Sequence, residues 1–243
     1  MLDNLADMGL RHQSFFGHVR GGNYGNALLS IHPLTDVVHT HLDGGTVVRT
    51  RSGEEHRIAR GMLSASVSVL GVSTRVCVTH LDHMAGAQRT IQMRHVLGAL
   101  GSEPEQTTLL VGDLNALSRP DYTADEWAAH AAHNAANGWG APHDDAAAPE
   151  GSLRLLSDAG FVDCAATAAH RPHRPWARPP WTAHVRSADG PRYRIDYAWL
   201  RRPELAHGRR LVPLEALVDE EPDASDHQPL VVDVEAIAFD AGE

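Results

Sequence analysis

The 243-residue sequence is poor in aromatic residues, at 5%, and carries only two cysteines, Cys77 and Cys164. Both lie in apolar stretches, "TRVCVTHL" and "GFVDCAAT". Two thiols so placed read as buried side chains in a reducing compartment, not as a disulfide framework, and a cytoplasmic location is expected. No run of about 18 apolar residues occurs, so no helical membrane span is expected. The opening "MLDNLADMGLRHQ" lacks the apolar segment of a secretory signal. Internal repeats are absent, and so are the glycine patterns of P-loop and dinucleotide folds. Basic residues are outnumbered, 21 Lys and Arg against 31 Asp and Glu, for a formal net charge of -10. That balance argues against sequence-blind wrapping of nucleic acid, which depends on basic phosphate contacts. It leaves room for a small phosphorylated substrate, or for a nuclease with one local basic edge.

What is present suits a soluble globular chain: 42% apolar and 21% charged residues. A chain of this length hides roughly 70–75% of its unfolded surface, so it needs no disulfide or metal staple. A short helix is expected within residues 2–10. "GNALLSIHPL" reads as a strand halted before Pro33, and residues 56–71 contain a longer one. A turn at 71–74 then leads into a return strand over 75–81. Residues 85–100 form the clearest helix, with Met93, Val96, Leu97 and Leu100 at helical spacing and Gly101 as its stop. "TLLVGDLNAL" (108–117) opens as a strand of almost unbroken hydrophobicity, the pattern of a strand covered on both faces. A helix and loop over 124–150 follow, then a helix in "SLRLLSDAGFVDC" ended by Gly160. Residues 170–181 form an extended proline-rich loop, and "YRIDYAWLR" and "PLVVDVEAI" are the last strands. No linker divides the chain, so one domain is expected. Hairpins mixed with helices point to packed sheets flanked by helices, an α+β or layered α/β sandwich.

Four polar islands interrupt apolar strands at their ends: "THLDH" (79–83), "GDLNA" (112–116), "RIDY" (194–197) and "SDHQP" (225–229). A single acid at a strand exit is usually a turn-former. Four islands of acids, amides and histidines add up to the chemistry of a divalent-cation phosphoesterase. Hard carboxylate oxygens suit Mg²⁺ or Mn²⁺, and imidazoles suit a phosphate and proton transfer. "HLDH" also offers His80, Asp82 and His83 as zinc ligands, but Val78 stands where that motif needs a further histidine. His130 and His133, three apart on an Ala-rich helix, read as solvated side chains, and Arg194 as a structural ion-pair partner.

The motifs "VTHLDH", "LLVGDLNA", "RIDYAWL" and "SDHQPLVVDV", in this order, resemble the endonuclease/exonuclease/phosphatase superfamily with its deoxyribonuclease-I-like fold. The resemblance runs from about residue 2 to residue 235. It implies a four-layer α/β/β/α sandwich with two mainly antiparallel sheets, and a metal site at one end. By the same resemblance Asp113 orients and deprotonates the attacking water, and Asn115 holds that water or a phosphate oxygen. Asp226 sits at the metal, directly or through water. His227 contacts the scissile phosphate, braced by Asp196, and His80 stabilises the phosphorane or helps the leaving oxygen depart.

The family pattern opens with an asparagine strand and a strand ending in a metal-binding glutamate, and residue 1 here aligns just beyond that glutamate. Asn4, Asp7, Glu54 and Glu55 stand in the wrong contexts to replace it. Two expectations follow: a longer natural chain, or a truncated and impaired relative retained as a binding or scaffold protein. Residues 1–243 alone are expected to bind Mg²⁺ poorly and to melt low. Arg174, Trp176 and Arg178 in the proline-rich loop are candidate contacts for a phosphate bearing an aromatic base. A phosphorylated small molecule or a nucleic acid is the expected substrate.

Overall fold

The computed structural model describes residues 6–19, 22–50, 52–101, 106–137, 142–149, 151–169, 181–184, 190–203, 207–219 and 224–240. Arg174, Trp176 and Arg178 lie outside the described residues, as do residues 2–5 of the expected helix at 2–10, of which Ala6 and Asp7 are helical. Twelve strands are described: β1 (His12–Gly17), β2 (Gly25–Ser30), β3 (Thr35–His41), β4 (Val47–Arg49), β5 (Glu55–Arg57), β6 (Gly61–Val69), β7 (Val72–Thr79), β8 (Thr107–Asp113), β9 (Phe161–Asp163), β10 (Asp196–Arg201), β11 (His207–Val218) and β12 (Leu230–Asp240). The α-helices are α1 (Gly86–Leu100), α2 (Ala124–Ala136), α3 (Ser152–Asp158) and α4 (Cys164–Ala169).

The central sheet has six strands in the order β3-β6-β7-β8-β10-β9. All its pairings are antiparallel except β7 with β8, whose parallel register needs the crossover that α1 supplies. The hairpins β1-β2, β4-β5 and β11-β12 form separate two-stranded ladders. This is the layered, mainly antiparallel sandwich that the sequence predicts.

Strand β10 shows why its sequence is apolar without alternation. Tyr197 and Trp199 enter one core with Met93 and Val96 of α1 and Leu153 and Leu156 of α3. Ala198 and Leu200 point to the opposite face and meet Leu211 of β11 and Val232 of β12. Both faces are covered, so period 2 vanishes from the hydropathy while persisting in the packing. Strand β8 repeats the arrangement, with Leu110 in the first core and Leu109 and Val111 against the second.

The β6-β7 hairpin turns earlier than the sequence suggests. Val69 pairs with Val72, so the loop is Leu70-Gly71, with φ of 51° and 81°. Positive φ at both positions is the geometry that matches the twist of a two-residue hairpin, and Leu70 accepts it although only Gly71 suits it. Strand β11 has no counterpart among the predicted strands. Its Pro213 removes a ladder donor, and a register shift between Pro213 and Glu215 absorbs the irregularity. Cys77 and Cys164 are both buried thiols. Among the described residues no helix is long and apolar enough to cross a membrane.

Candidate functional site

The order β6-β7-β8-β10 brings four strand ends to one rim of the central sheet. Strand β6 begins there at Gly61, β7 and β8 end there at Thr79 and Asp113, and β10 begins there at Asp196. Asp113 and Asp196 are direct cross-strand partners. Two carboxylates facing each other across a ladder repel, so the pairing draws positive charge to the rim.

Gly112 makes the approach possible. Its φ is +133°, and a Cβ there would stand 1.9 Å from the Thr79 carbonyl oxygen. Only glycine lets β8 pass that close to β7, and the next residue is Asp113. The chain then turns sharply. The Asn115 N–H donates to Asp113 Oδ1 at 2.9 Å, and Asn115 takes a φ of 48°, a conformation asparagine tolerates better than most residues. Asn115 Nδ2 donates to the Leu81 carbonyl at 3.1 Å, fixing the amide beside Asp113.

Each acid has an imidazole. His227 Nδ1 lies 2.8 Å from Asp196 Oδ2, and His80 Nε2 lies 3.4 Å from Asp113 Oδ2. Tyr24, from the loop leading into β2, places its hydroxyl 3.0 Å from His80 Nδ1. Thr182 Oγ1 accepts from the N–H groups of Ile195 and Asp196, and Gln228 N–H donates to the Thr182 carbonyl. Residues 181–184 thereby hold the "SDHQP" segment against the start of β10, with Ala183 bridging to His227. Asp226 is exposed, and its carbonyl accepts from the His184 N–H.

The side chains of His80, Asp113, Asp196 and His227 are 24%, 16%, 21% and 29% exposed. They are withdrawn from bulk water yet reachable, which sets their electrostatics. Burial, and then the neighbouring Asp196 charge, push Asp113 up to about 7. The hydrogen bond to Asp196 raises His227 to about 9. Burial, and then the Arg60 charge, hold His80 down at about 3. The centre thus combines an acid that titrates near neutrality, an imidazolium and a neutral imidazole.

Asp113, Asp196 and His227 each offer a ligand atom, all within 4.8 Å of one another. The two facing carboxylates supply hard oxygens, a donor set that fits a divalent cation. Asp226 stands outside this three-residue group while contributing to the field that raises His227.

Other sequence readings resolve differently. Asp82 is fully buried and accepts from the Thr46, Met84 and Ala85 N–H groups and the Thr46 hydroxyl. It is an internal cap, which removes the zinc reading of "HLDH". His130 is not solvated: it is 1% exposed and packs edge-on against Tyr122 and Tyr193. Arg194 is the structural ion-pair partner expected, bridging Asp121 and Asp163. Glu55 pairs with Arg49 on the exposed β4-β5 hairpin. Sequence reasoning misses Tyr24 and Thr182, which act only through contacts distant in the chain.

This fold and rim define a class, the phosphoester hydrolases built on packed, mainly antiparallel sheets. The model of the Endonuclease/Exonuclease/phosphatase family matches residues 2–227, and the chain belongs to that family, whose members hydrolyse phosphoester bonds. Solved structures with the same fold include the catalytic domain of human Nocturnin with bound sulfate, at 15% identity and a TM-score of 0.57, covering 98% of this chain and 76% of that one. D. rerio TDP2 complexed with a single-strand DNA product is 18% identical with a TM-score of 0.52, over 96% of this chain and 81% of that one. Sphingomyelinase C from Streptomyces griseocarneus is 17% identical with a TM-score of 0.51, over 95% and 80%. No curated protein matches the sequence.

Proposed function

We propose that this chain is a divalent-cation-dependent hydrolase of phosphoester or phosphodiester bonds, acting by in-line attack of water without a covalent intermediate. The observation that carries the reading is the facing Asp113–Asp196 pair with His80 on one acid and His227 on the other. Asp113 positions the attacking water and takes its proton, a role suited by a carboxyl that titrates near neutrality. Asp196 braces His227, and the charged imidazole faces the phosphoryl oxygens. Asn115, locked beside Asp113, holds the water or a non-bridging oxygen. His80, oriented by Tyr24, stabilises the phosphorane or assists the leaving oxygen.

Asp113 and Asp196 would hold Mg²⁺ or Mn²⁺ through their carboxylate oxygens, with Asp226 at the cation directly or through water. A bound cation of this kind supplies charge neutralisation at the phosphoryl oxygens. The residues themselves contribute positioning and preorganised dipoles, the main demands of phosphoryl transfer. The test is nitrophenol release from bis(p-nitrophenyl) phosphate with Mg²⁺ or Mn²⁺, with and without EDTA. Release that EDTA stops and that Asp196→Asn lowers by about 10³-fold is expected. No release above the uncatalysed rate, or full activity in Asp196→Asn, ends the proposal.

A further inference from the structure

The rim does not stop at His80. Beyond it in the sheet lies the start of β6, and the residue just before that strand is Arg60. Arg60 is 5% exposed, yet among the described residues no carboxylate stands within ion-pair distance of it. Its one side-chain partner is the His83 Nδ1, 3.1 Å from Nη2, and its buried Nε has no partner. Among the described residues Nη1 has no hydrogen-bond partner, and it is not sealed from solvent.

A desolvated guanidinium whose nearest polar company is imidazole is a charge waiting for an anion. Among the described residues no acid pairs with it directly, although its charge acts on Asp113 and Asp82 lies beside His83. Burial, and then the Arg60 charge, keep His18 and His83 below the ordinary imidazole range, so they do not add positive charge of their own. His18 is also buried with both ring nitrogens unpartnered, and its Cβ sits where a side chain on Gly61 would stand. The wall around Arg60 is therefore polar, and among the described residues none of its acids closes an ion pair with the guanidinium.

Its place in the sheet sets what the anion is. Strand β7, which delivers His80, separates β6 from β8, which delivers Asp113. Strands are about 4.8 Å apart, so the backbone at Arg60 stands roughly 10 Å along the rim from Asp113. An arginine side chain covers part of that gap. Its charge acts on both His80 and Asp113, so a phosphate next to one held over Asp113, Asp196 and His227 would come toward it.

We propose that Arg60 is a second phosphate subsite, which holds a phosphate group neighbouring the scissile one and directs the protein to substrates with two nearby phosphates. Polynucleotides and bisphosphorylated small molecules both have that spacing. The inference rests on the hydrolase reading for its choice of ligand, but it can fail alone.

The experiment has a binding arm and a kinetic arm. In EDTA, stabilisation by inorganic phosphate reports on the cationic groups of the rim, Arg60 and the His227 imidazolium, and the Arg60 variants isolate the share of Arg60. The wild-type protein should melt several degrees higher in tens of millimolar phosphate than in chloride of equal ionic strength. Arg60→Met should lose that shift, and Arg60→Lys should keep part of it, which separates lost charge from lost folding. In the kinetic arm, thymidine 3′-(p-nitrophenyl phosphate) is compared with its 5′-phosphorylated form in Mn²⁺. Wild type should prefer the second by tenfold or more, chiefly through KM. That ratio should collapse toward one in Arg60→Met and recover in part in Arg60→Lys. A ratio unchanged in Arg60→Met, or a phosphate shift that survives it, overturns the subsite. If neither nucleotide is hydrolysed while the phosphate shift behaves as expected, the hydrolase reading falls and the anion site stands.

Discussion

Arg194 and Asp196 are two residues apart, yet they belong to acid clusters of opposite character. Arg194 is 2% exposed and lies between Asp121 and Asp163, with N–O distances of 2.8 and 2.5 Å, and its guanidinium covers the Tyr197 ring. Both acids there find their cation within the chain. Asp196 instead faces Asp113 with imidazoles on the flanks and no arginine in the pair. A buried acid pair closed by an internal cation is architecture. A half-buried acid pair with no arginine between its members is the candidate site, and there burial and then the Asp196 charge raise Asp113.

The largest test of this contrast is catalytic. Asp113→Asn should lower phosphoester hydrolysis by about 10³-fold, since it removes the proton acceptor while keeping the shape. The same change should leave the urea midpoint unmoved or raised, because it removes a like-charge opposition. Loss of both activity and stability would put Asp113 in the architectural class. Arg194→Met should do the reverse. It strands two buried carboxylates and should cost about 3–5 kcal/mol in urea unfolding. A stable Arg194→Met protein would erase the distinction between the clusters.

How much of this is legible in the sequence follows the same division. The four islands can be read because each places an acid, amide or histidine where an apolar strand ends, and Asp113, Asp196, His80 and His227 do meet at one rim. The layered fold can be read from hairpins and from strands apolar on both faces, as "YAWL" shows. Strand β11 cannot, because Pro213 and the arginines before it break the pattern that its bulge accommodates. Tyr24, Arg60 and Thr182 are silent in the sequence because their meaning is a neighbour far along the chain. His130 reads wrongly because an Ala-rich stretch does not reveal the rings of Tyr122 and Tyr193 that enclose it.

His130 gives the next prediction, on the architectural side. Burial lowers it to about 4 in the folded protein, while the unfolded chain keeps an ordinary imidazole near 6.5. Below 6.5 the unfolded state therefore takes up a proton that the folded state refuses. The neutral side chain's stability is fully present above pH 6.5 and drains away as pH falls toward about 4, by about 2–3 kcal/mol. His130→Phe, which keeps a ring among rings, should flatten that limb in urea unfolding measured from pH 7 to pH 4. An unchanged slope would mean that other buried groups dominate the acid response.

The smallest effect bears most directly on the open cluster. A cation that binds only the folded state at ten times its Kd adds about 1.4 kcal/mol. Mg²⁺ or Mn²⁺ should therefore raise the melting temperature by a few degrees in the wild type. The site offers two carboxylates and one imidazole in its nearest group, with Asp226 more remote, so millimolar concentrations are expected to be needed. Asp113→Asn and Asp196→Asn should each abolish the shift. A conservative change in the closed cluster, Asp163→Asn, should lower the starting temperature yet leave the increment intact, because Arg194 already serves as the cation there. If the increment followed Asp163 as well, the ion would be answering overall charge, and the facing acids at the rim would have no special claim on it.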